Sequence, residues 1–597
     1  MKTSKLTLIA SLAIAISACN APKEADEKPF ESTVVNPDGT VTFYYKNDNA
    51  DSVKVDVQFA GRNNMQRDSA SGIWTATLGP ADPDMYPYCF VVDGVSIMDP
   101  ECREWFPNEG FKNSILDIPG KDGALIHSIQ NVPHGDVHYE TYYSKSLGCY
   151  NRALVYTPAS YSNSSDSLPV FYLISGTTDT EEVYYKVGRM NYILDNLIAQ
   201  GKAKDMIIVL PYGNPGKLLP QGSNIAPIPQ QGDLFSKDFV NDLMPYVEAN
   251  YRTINDRDHR AIGGFSRGGN QALFNGLCNI DKFSYLCSYS SFTTTDLPVY
   301  NDKDFNDRIH LFWLGIGTDD FLYGTSRDYL EFLDSKGITA VKEFTTGKFG
   351  HTWMNAKYFL ARTMPMLFNP EVSAKAMAEA KPAPKATGNE VPFTPGVMAR
   401  LFPKPIISPE FIGNDSVTFR FKAENAKAVS LEMESSAPIK MTRDSAGVWS
   451  VTMVPSGLCY NFVVDGIRTA DPQNMYMAYD SGIKRSILHK NTLTDKITKY
   501  NPMTYKTAEN GERYAVCEPA GVSGVVKTIK LEAPMGADFE CWHKILRVNE
   551  LVSEKPCRLI LANHGSNIGN DADLVLNIDK AGSWTERMEM FWKAIEK

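Results

Sequence analysis

The sequence predicts a multidomain protein in which an α/β domain with a mostly parallel sheet lies between two small β-sandwich domains, followed by a partial α/β repeat. Three observations carry this expectation. A chain of 597 residues is too long for one hydrophobic core. A pattern of short alternating strands occurs twice, at 30–120 and again at 405–490. The intervening stretch, 130–368, alternates continuous apolar runs with helical periodicity.

The repeat is read residue by residue. Thr40–Tyr45, Ser52–Val57, Ile73–Thr77 and Tyr88–Val92 alternate apolar and polar residues and are separated by turn signals such as Pro37-Asp38-Gly39 and Asp93-Gly94. Arg67-Asp68-Ser69 returns as Arg443-Asp444-Ser445, Trp74 as Trp449, and Phe90-Val-Val-Asp-Gly as Phe462-Val-Val-Asp-Gly. Asp99-Pro100 returns as Asp471-Pro472 and Ser114-Ile-Leu as Ser486-Ile-Leu. The offset shrinks from 376 to 372 along the copy, as small loop deletions would produce. Each copy is expected to form an immunoglobulin-like sandwich.

In the α/β stretch, Phe171–Ile174 and Met206–Leu210 are unbroken apolar runs, as strands buried on both faces require. Phe239, Leu243, Met244 and Val247 share one helical face, and Tyr329, Phe332 and Leu333 another before Gly337. The Ala-, Lys- and Pro-rich segment 369–395 reads as an exposed linker.

Composition narrows the function. Apolar residues make up 43% and charged residues 22%, which excludes a largely disordered chain. The net charge of −10 argues against a basic groove, so no nucleic-acid partner is expected. Residues 1–19 read as a lipoprotein signal: Lys2 and Lys5 precede the apolar run Leu6–Ile16, and Ile16-Ser17-Ala18-Cys19 has the form of a lipobox. Cleavage there makes Cys19 the lipidated first residue, with 20–29 as a tether. The expected location is the outer membrane of a bacterium, on the periplasmic or surface face, with membrane contact only through the lipid. Nine further cysteines include no Cys-x-x-Cys pair, so neither a metal site nor a disulfide pairing follows from their spacing.

The sharpest chemical signal is Gly264-Phe-Ser266-Arg-Gly268, preceded by the apolar Ala261-Ile262 and followed by the helix-like Gln271-Ala-Leu-Phe. Strand, sharp turn and helix are the context in which Gly-x-Ser-x-Gly exposes a nucleophilic serine and aims the next N–H, here that of Arg267, at a developing oxyanion. Such a hydroxyl needs a base and a carboxylate that orients the base. Between Ser266 and the linker stand His310 and His351. His310 opens the run Leu311–Leu314 and falls at the entrance of a strand, whereas His351 lies in a Gly-bearing loop after a strand-like segment. Asp319 and Asp320 follow the same run and compete for the acid role.

These residues resemble a known group. Leu168–Gly176, Asp242–Arg252, the serine turn, Gly317-Thr-Asp-Asp-Phe-Leu and Gly350-His-Thr-Trp are similar to the esterase-D-like α/β-hydrolases, the carbohydrate esterase family 1 group with its feruloyl and acetyl-xylan esterases. The resemblance implies Ser266 as nucleophile, His351 as base then acid, Asp320 as orienting carboxylate, and Thr177 as donor of the second oxyanion N–H beside Arg267. It also implies no cofactor. Two positions depart from the pattern: Ser175-Gly176 replaces His-Gly, and Arg267 replaces an apolar residue. The Arg267 guanidinium is expected at the surface, the other options being an acidic neighbour or a substrate carboxylate. The flanking copies resemble family-48 carbohydrate-binding modules.

Residues 491–597 echo the start of the esterase, Cys557–Gly565 paralleling Pro169–Gly176. Only 32 residues follow Gly565, whereas Ser266 lies 90 beyond Gly176, so this repeat is expected to be non-catalytic. The resulting expectation is a serine ester hydrolase, a feruloyl esterase acting on esterified plant polysaccharide such as xylan. Tyr184, Tyr185, Phe235 and Trp353 are available for an aryl pocket. The alternatives are an acetyl-xylan, small-ester or siderophore esterase, or a glycan-binding lipoprotein with an inactive hydrolase domain.

Overall fold

The computed structural model describes residues 30–121, 125–218, 233–347, 350–387, 406–412, 416–433, 437–480 and 483–488. It also describes five strands of the tail, Thr504–Thr507, Arg513–Cys517, Ile529–Leu531, Cys557–Leu561 and Leu574–Ile578. The leader 1–19 with Cys19, the tether 20–29 and the rest of the tail lie outside the described residues.

The chain divides into two compact units. The first holds the N-terminal sheet module. Thr33–Val35, Val41–Lys46, Ile73–Leu78 and Gln66–Arg67 form one antiparallel sheet; Gly61–Asn64, Val53–Val57, Met85–Val92 and Val95–Ile97 form another, with Ser114–Asp117 also on Met85–Val92. In Val53–Val57 period-two patterning buries alternate residues, and the sheets meet through Phe43 on Tyr88 and Tyr45 on Phe90, with ring centroids 5.5 and 4.9 Å apart. The residues Phe106–Lys112, between Asp99 and Ser114 in sequence, group with the second unit.

The later copy lies in the second unit except for Tyr479–Ile483, which group with the first, and it repeats this arrangement: Phe419 meets Tyr460 at 4.8 Å and Phe421 meets Phe462 at 5.0 Å. Matching residues make matching bonds. The Trp74 and Trp449 indoles donate to the carbonyls of Asn47 and Ala423, both at 3.0 Å. Asp93 and Asp465 adopt φ of 49° and 48° ahead of Gly94 and Gly466.

The core of the second unit is an eight-stranded sheet. Its strands are β1 (Asp136–Ser144), β2 (Cys149–Thr157), β3 (Val170–Ile174), β4 (Ile207–Pro211), β5 (Arg260–Phe265), β6 (Tyr285–Tyr289), β7 (Leu311–Gly317) and β8 (Val341–Thr345), in spatial order β1-β2-β4-β3-β5-β6-β7-β8. The β1–β2 and β2–β4 pairs are antiparallel and the remaining pairs parallel. Every residue of β3, β4, β6 and β7 is buried, which is why β3 and β4 read as unbroken apolar runs. The longer helices are α1 (Met190–Ala199), α2 (Arg267–Cys278), α3 (Tyr323–Ser335), α4 (Trp353–Thr363) and α5 (Pro370–Ala378). A further helical run covers Leu234–Asp238, Phe239–Leu243 and Met244–Asn250, where Asp242 accepts from the Lys145 and Ser146 amides at 3.1 and 3.0 Å.

Helix α5 corrects the expectation of an exposed linker from 369. Pro370 pre-sets the first helical φ, Glu371 favours the first turn, and the alanines that resemble linker composition are strong helix formers. Met377 and Ala383 pack against the sheet's core, and Ser373 is buried. In the tail, Cys557–Leu561 pairs antiparallel with Leu574–Ile578, unlike its counterpart β3, which has parallel neighbours on both sides. Among the described residues, Cys89, Cys102, Cys149, Cys278 and Cys287 are free thiols.

Candidate active site

The carboxyl ends of four parallel strands carry the candidate residues. Strand β5 ends at Phe265, and Ser266 follows with φ 57° and ψ −123°, a strained turn for a residue with a side chain, before α2 begins at Arg267. The turn demands glycine on both sides. A Cβ on Gly264 would stand 2.4 Å from the Gly268 carbonyl oxygen, and one on Gly268 would stand 2.2 Å from that of Ile174. The Ser266 N–H donates to the Tyr289 carbonyl at 2.8 Å, which fixes the turn to β6.

Strand β7 leads to Asp319 and Asp320. Asp319 is exposed, whereas the side chain of Asp320 is fully buried, so the alternative left open by spacing falls to Asp320 on geometry. Its Oδ1 accepts from the Leu322 amide at 2.8 Å. Strand β8 leads to His351, whose loop is pinned by Asn355: its Nδ2 donates to the Gly350 carbonyl at 3.1 Å, and its Oδ1 accepts from Thr345 at 3.0 Å. The His351 Nδ1 lies 2.8 Å from Asp320 Oδ2 and 3.0 Å from Oδ1, and its Nε2 lies 2.9 Å from Ser266 Oγ. The imidazole is 16% exposed and packs between the Phe265 and Phe321 rings at 4.8 and 4.5 Å. Ser266, His351 and Asp320 thus form a continuous hydrogen-bonded chain, a geometry suited to drawing a proton from a serine hydroxyl. His310 lies at the opposite strand ends, ahead of β7, with its Nε2 3.0 Å from Asp258 Oδ1.

Strand β3 delivers Ser175, Gly176 and Thr177. A Cβ on Gly176 would lie 3.7 Å from Ser266 Cβ, so this loop runs alongside the serine. Two neighbours went unrecognised in the sequence. Asp179, fully buried, accepts from the Gly176 N–H at 3.2 Å, and burial raises its carboxyl from 3.8 to about 7. Phe321 was legible only as part of the Asp-Asp-Phe motif. The Arg267 guanidinium does not reach the surface as expected: Nε and Nη1 are shielded from solvent, and its charged surroundings are Glu109 and Asp233. Helix α2 points it toward the loop after β4, to which Gln271, one turn on, also bonds through the Gly213 carbonyl at 2.9 Å. Burial pulls the guanidinium down to about 10.

Of the four candidate aryl-pocket residues, Trp353 packs edge-on against Tyr184 at 4.7 Å and lies 5.3 Å from Phe265, close to the imidazole. Phe235 instead stacks on Phe239 at 5.7 Å within the core, and Tyr185 is half-buried.

Residues 144–333 match the sequence family described as "Putative esterase". Over 354 residues the chain is 28% identical to an endo-1,4-beta-xylanase/feruloyl esterase of Xylanibacter ruminicola, covering 58% of this chain and 47% of the relative. It is 21% identical over 245 residues to endo-1,4-beta-xylanase Y of Acetivibrio thermocellus, covering 36% of this chain and 22% of that one. The chain therefore spans less than half the length of either relative. A ferulic acid esterase structure from Anaeromyces mucronatus is similar at 21% identity and a TM-score of 0.37, over 42% of this chain and 97% of that one. The chain contains an esterase domain similar in sequence to a xylanase/feruloyl esterase.

Proposed function

We propose that the protein is a serine carboxylic-ester hydrolase that removes hydroxycinnamoyl groups from plant cell-wall polysaccharide. The observation that carries this reading is the hydrogen-bonded chain from Asp320 through His351 to Ser266 Oγ, with 2.8 and 2.9 Å links. As the Ser266 oxygen attacks the ester carbonyl, His351 Nε2 takes its proton, and buried Asp320 holds the ring in the tautomer that can accept it. The tetrahedral oxyanion is met by the Thr177 and Arg267 N–H groups. Collapse of the intermediate breaks the bond to the sugar oxygen, which leaves with the proton from His351, and the acyl group stays on Ser266. Water then attacks the acyl-enzyme with His351 again as base, releasing the acid and restoring the hydroxyl.

Two observations favour an aryl acid. Phe321, 36% exposed, presents a ring beside the imidazole, which also packs on Phe265, itself in contact with Trp353. One relative carries feruloyl esterase in its name. The test is turnover of methyl ferulate against an acetyl ester by the wild type and by Ser266→Ala. Faster hydrolysis of the ferulate, lost in the variant, supports the reading; turnover of acetyl esters alone overturns the acyl preference, and no turnover of either overturns the hydrolase.

A further inference from the structure

The oxyanion arm at Thr177 is held by residues far from it in sequence. Glu109 is fully buried, and its carboxylate accepts from the Tyr212 hydroxyl and from Asn214 Nδ2, both at 2.5 Å. The same Asn214 nitrogen donates to the Thr177 carbonyl at 2.7 Å. Lys217 stands 3.6 Å from the Glu109 carboxylate, which supplies a counter-charge for a buried anion. Next to Glu109, Asn108 Nδ2 donates to Thr178 Oγ1 and to Asp179 Oδ1, both at 2.9 Å. Two backbone bonds complete the seam: Glu109 N–H to the Thr178 carbonyl at 2.8 Å, and Thr180 N–H to the Pro107 carbonyl at 3.1 Å.

The consequence lies in which peptide groups are fixed. The Gly176 N–H is committed to Asp179, which Asn108 holds, and the Thr177 carbonyl is committed to Asn214, which Glu109 holds. The peptide between them carries the Thr177 N–H. With the peptide units on both flanks held, displacements of the loop that would carry that N–H away from the Ser266 turn are restrained. Glu109 also lies within the electrostatic reach of Arg267, the residue that carries the second oxyanion N–H. One buried carboxylate therefore borders both arms of the site.

Building on the ester-hydrolase reading, we infer that Glu109 and Asn108, on the segment Phe106–Lys112, are positioning residues that set the Thr177 N–H for the tetrahedral intermediate. They touch no reacting atom. Their effect belongs to the transition state, so they should govern kcat rather than substrate binding.

The test uses the full chain carrying Asn108→Ala, Glu109→Ala, Glu109→Gln or Asn214→Ala. Turnover of p-nitrophenyl acetate is measured per active serine, counted by a fluorophosphonate burst, alongside affinity for phenylboronic acid, which forms a tetrahedral adduct on the serine. The alanine variants should lose roughly 10- to 100-fold in kcat with KM within about twofold, because small misplacements of a catalytic donor are costly. Boronate affinity should fall in parallel, and Glu109→Gln, which keeps an acceptor for Asn214, should recover part of the loss. Unchanged kcat and boronate affinity per active serine would overturn the role, as would a loss explained by fewer folded molecules alone. A wild type that neither turns over the ester nor binds the boronate would overturn the hydrolase reading itself, and this role with it.

Discussion

In the first sheet module, the Tyr88 hydroxyl donates to Asp99 at 2.5 Å, and the Asp99 amide donates to Ser114 Oγ at 3.0 Å. In the second, Tyr460, Asp471 and Ser486 make the same bonds at 2.7 and 2.8 Å. Each clamp closes a loop of equal length between Asp and Ser, yet the two loops serve different ends. The first contains Asn108 and Glu109, which bond to the loop beside Ser266. The second contains Met475 and Tyr476, which receive Arg152: its guanidinium lies 4.8 Å over the Tyr476 ring and pairs with buried Glu181 at 3.1 Å. Lys112 joins the two loops by donating to the Pro472 carbonyl at 3.3 Å. The same pair of bonds thus frames two different loops: within Phe106–Lys112, Asn108 and Glu109 supply polar groups beside Ser266, whereas Met475 and Tyr476 supply packing for Arg152.

That contrast can be broken by mutation. Ser266→Ala sets the scale, with a loss on the order of 10⁴-fold or more in kcat, measured on any ester the wild type turns over. Variants of the first loop follow, with the kcat losses set out above for Glu109 and Asn108. Arg152→Ala should act differently: it strands the Glu181 carboxylate and should cost about 2–3 kcal/mol in denaturant unfolding while kcat per active serine holds. A large kcat effect from Arg152→Ala would erase the distinction between the loops. Trp74→Phe and Trp449→Phe each remove one indole hydrogen bond and should each cost about 1 kcal/mol, nearly equally; a clear inequality would show that the copies are not held alike.

A last prediction concerns pH. Burial raises the Asp179 carboxyl from 3.8 to about 7, so the folded state holds its proton more tightly than the unfolded chain does. Its contribution to stability is present below about pH 4 and is lost as pH rises through about 7. Asp179→Asn, which has no charge to bury, should gain in melting temperature relative to the wild type across that window, and a constant difference would contradict the assignment.

Much of the candidate site was legible because it is local. The crowding of Gly264 on Gly268 lies within a few residues, and the Asp-Asp segment follows a strand whose apolar run is plain. The choice between Asp319 and Asp320 needed burial, which spacing does not report. Glu109 was invisible for a different reason. It lies in a charged stretch of a module that reads as separate, and nothing local distinguishes a carboxylate bonded to Tyr212 and Asn214 from one facing water. Arg267 was misplaced on the same ground, since its surroundings come from Glu109 and Asp233. Helix α5 was missed because its alanines and lysine suit a linker as well as a helix, and Met377 contacting Phe312 is a tertiary fact.

The central claim is that the Ser266 hydroxyl, activated through His351, attacks the ester. Intact-mass and peptide-level measurement after exposure to a fluorophosphonate tests it directly. The account predicts a single adduct on Ser266 that forms in step with loss of activity and is suppressed in His351→Ala. Labelling at another residue with activity lost, or full activity retained with Ser266 blocked, would contradict it.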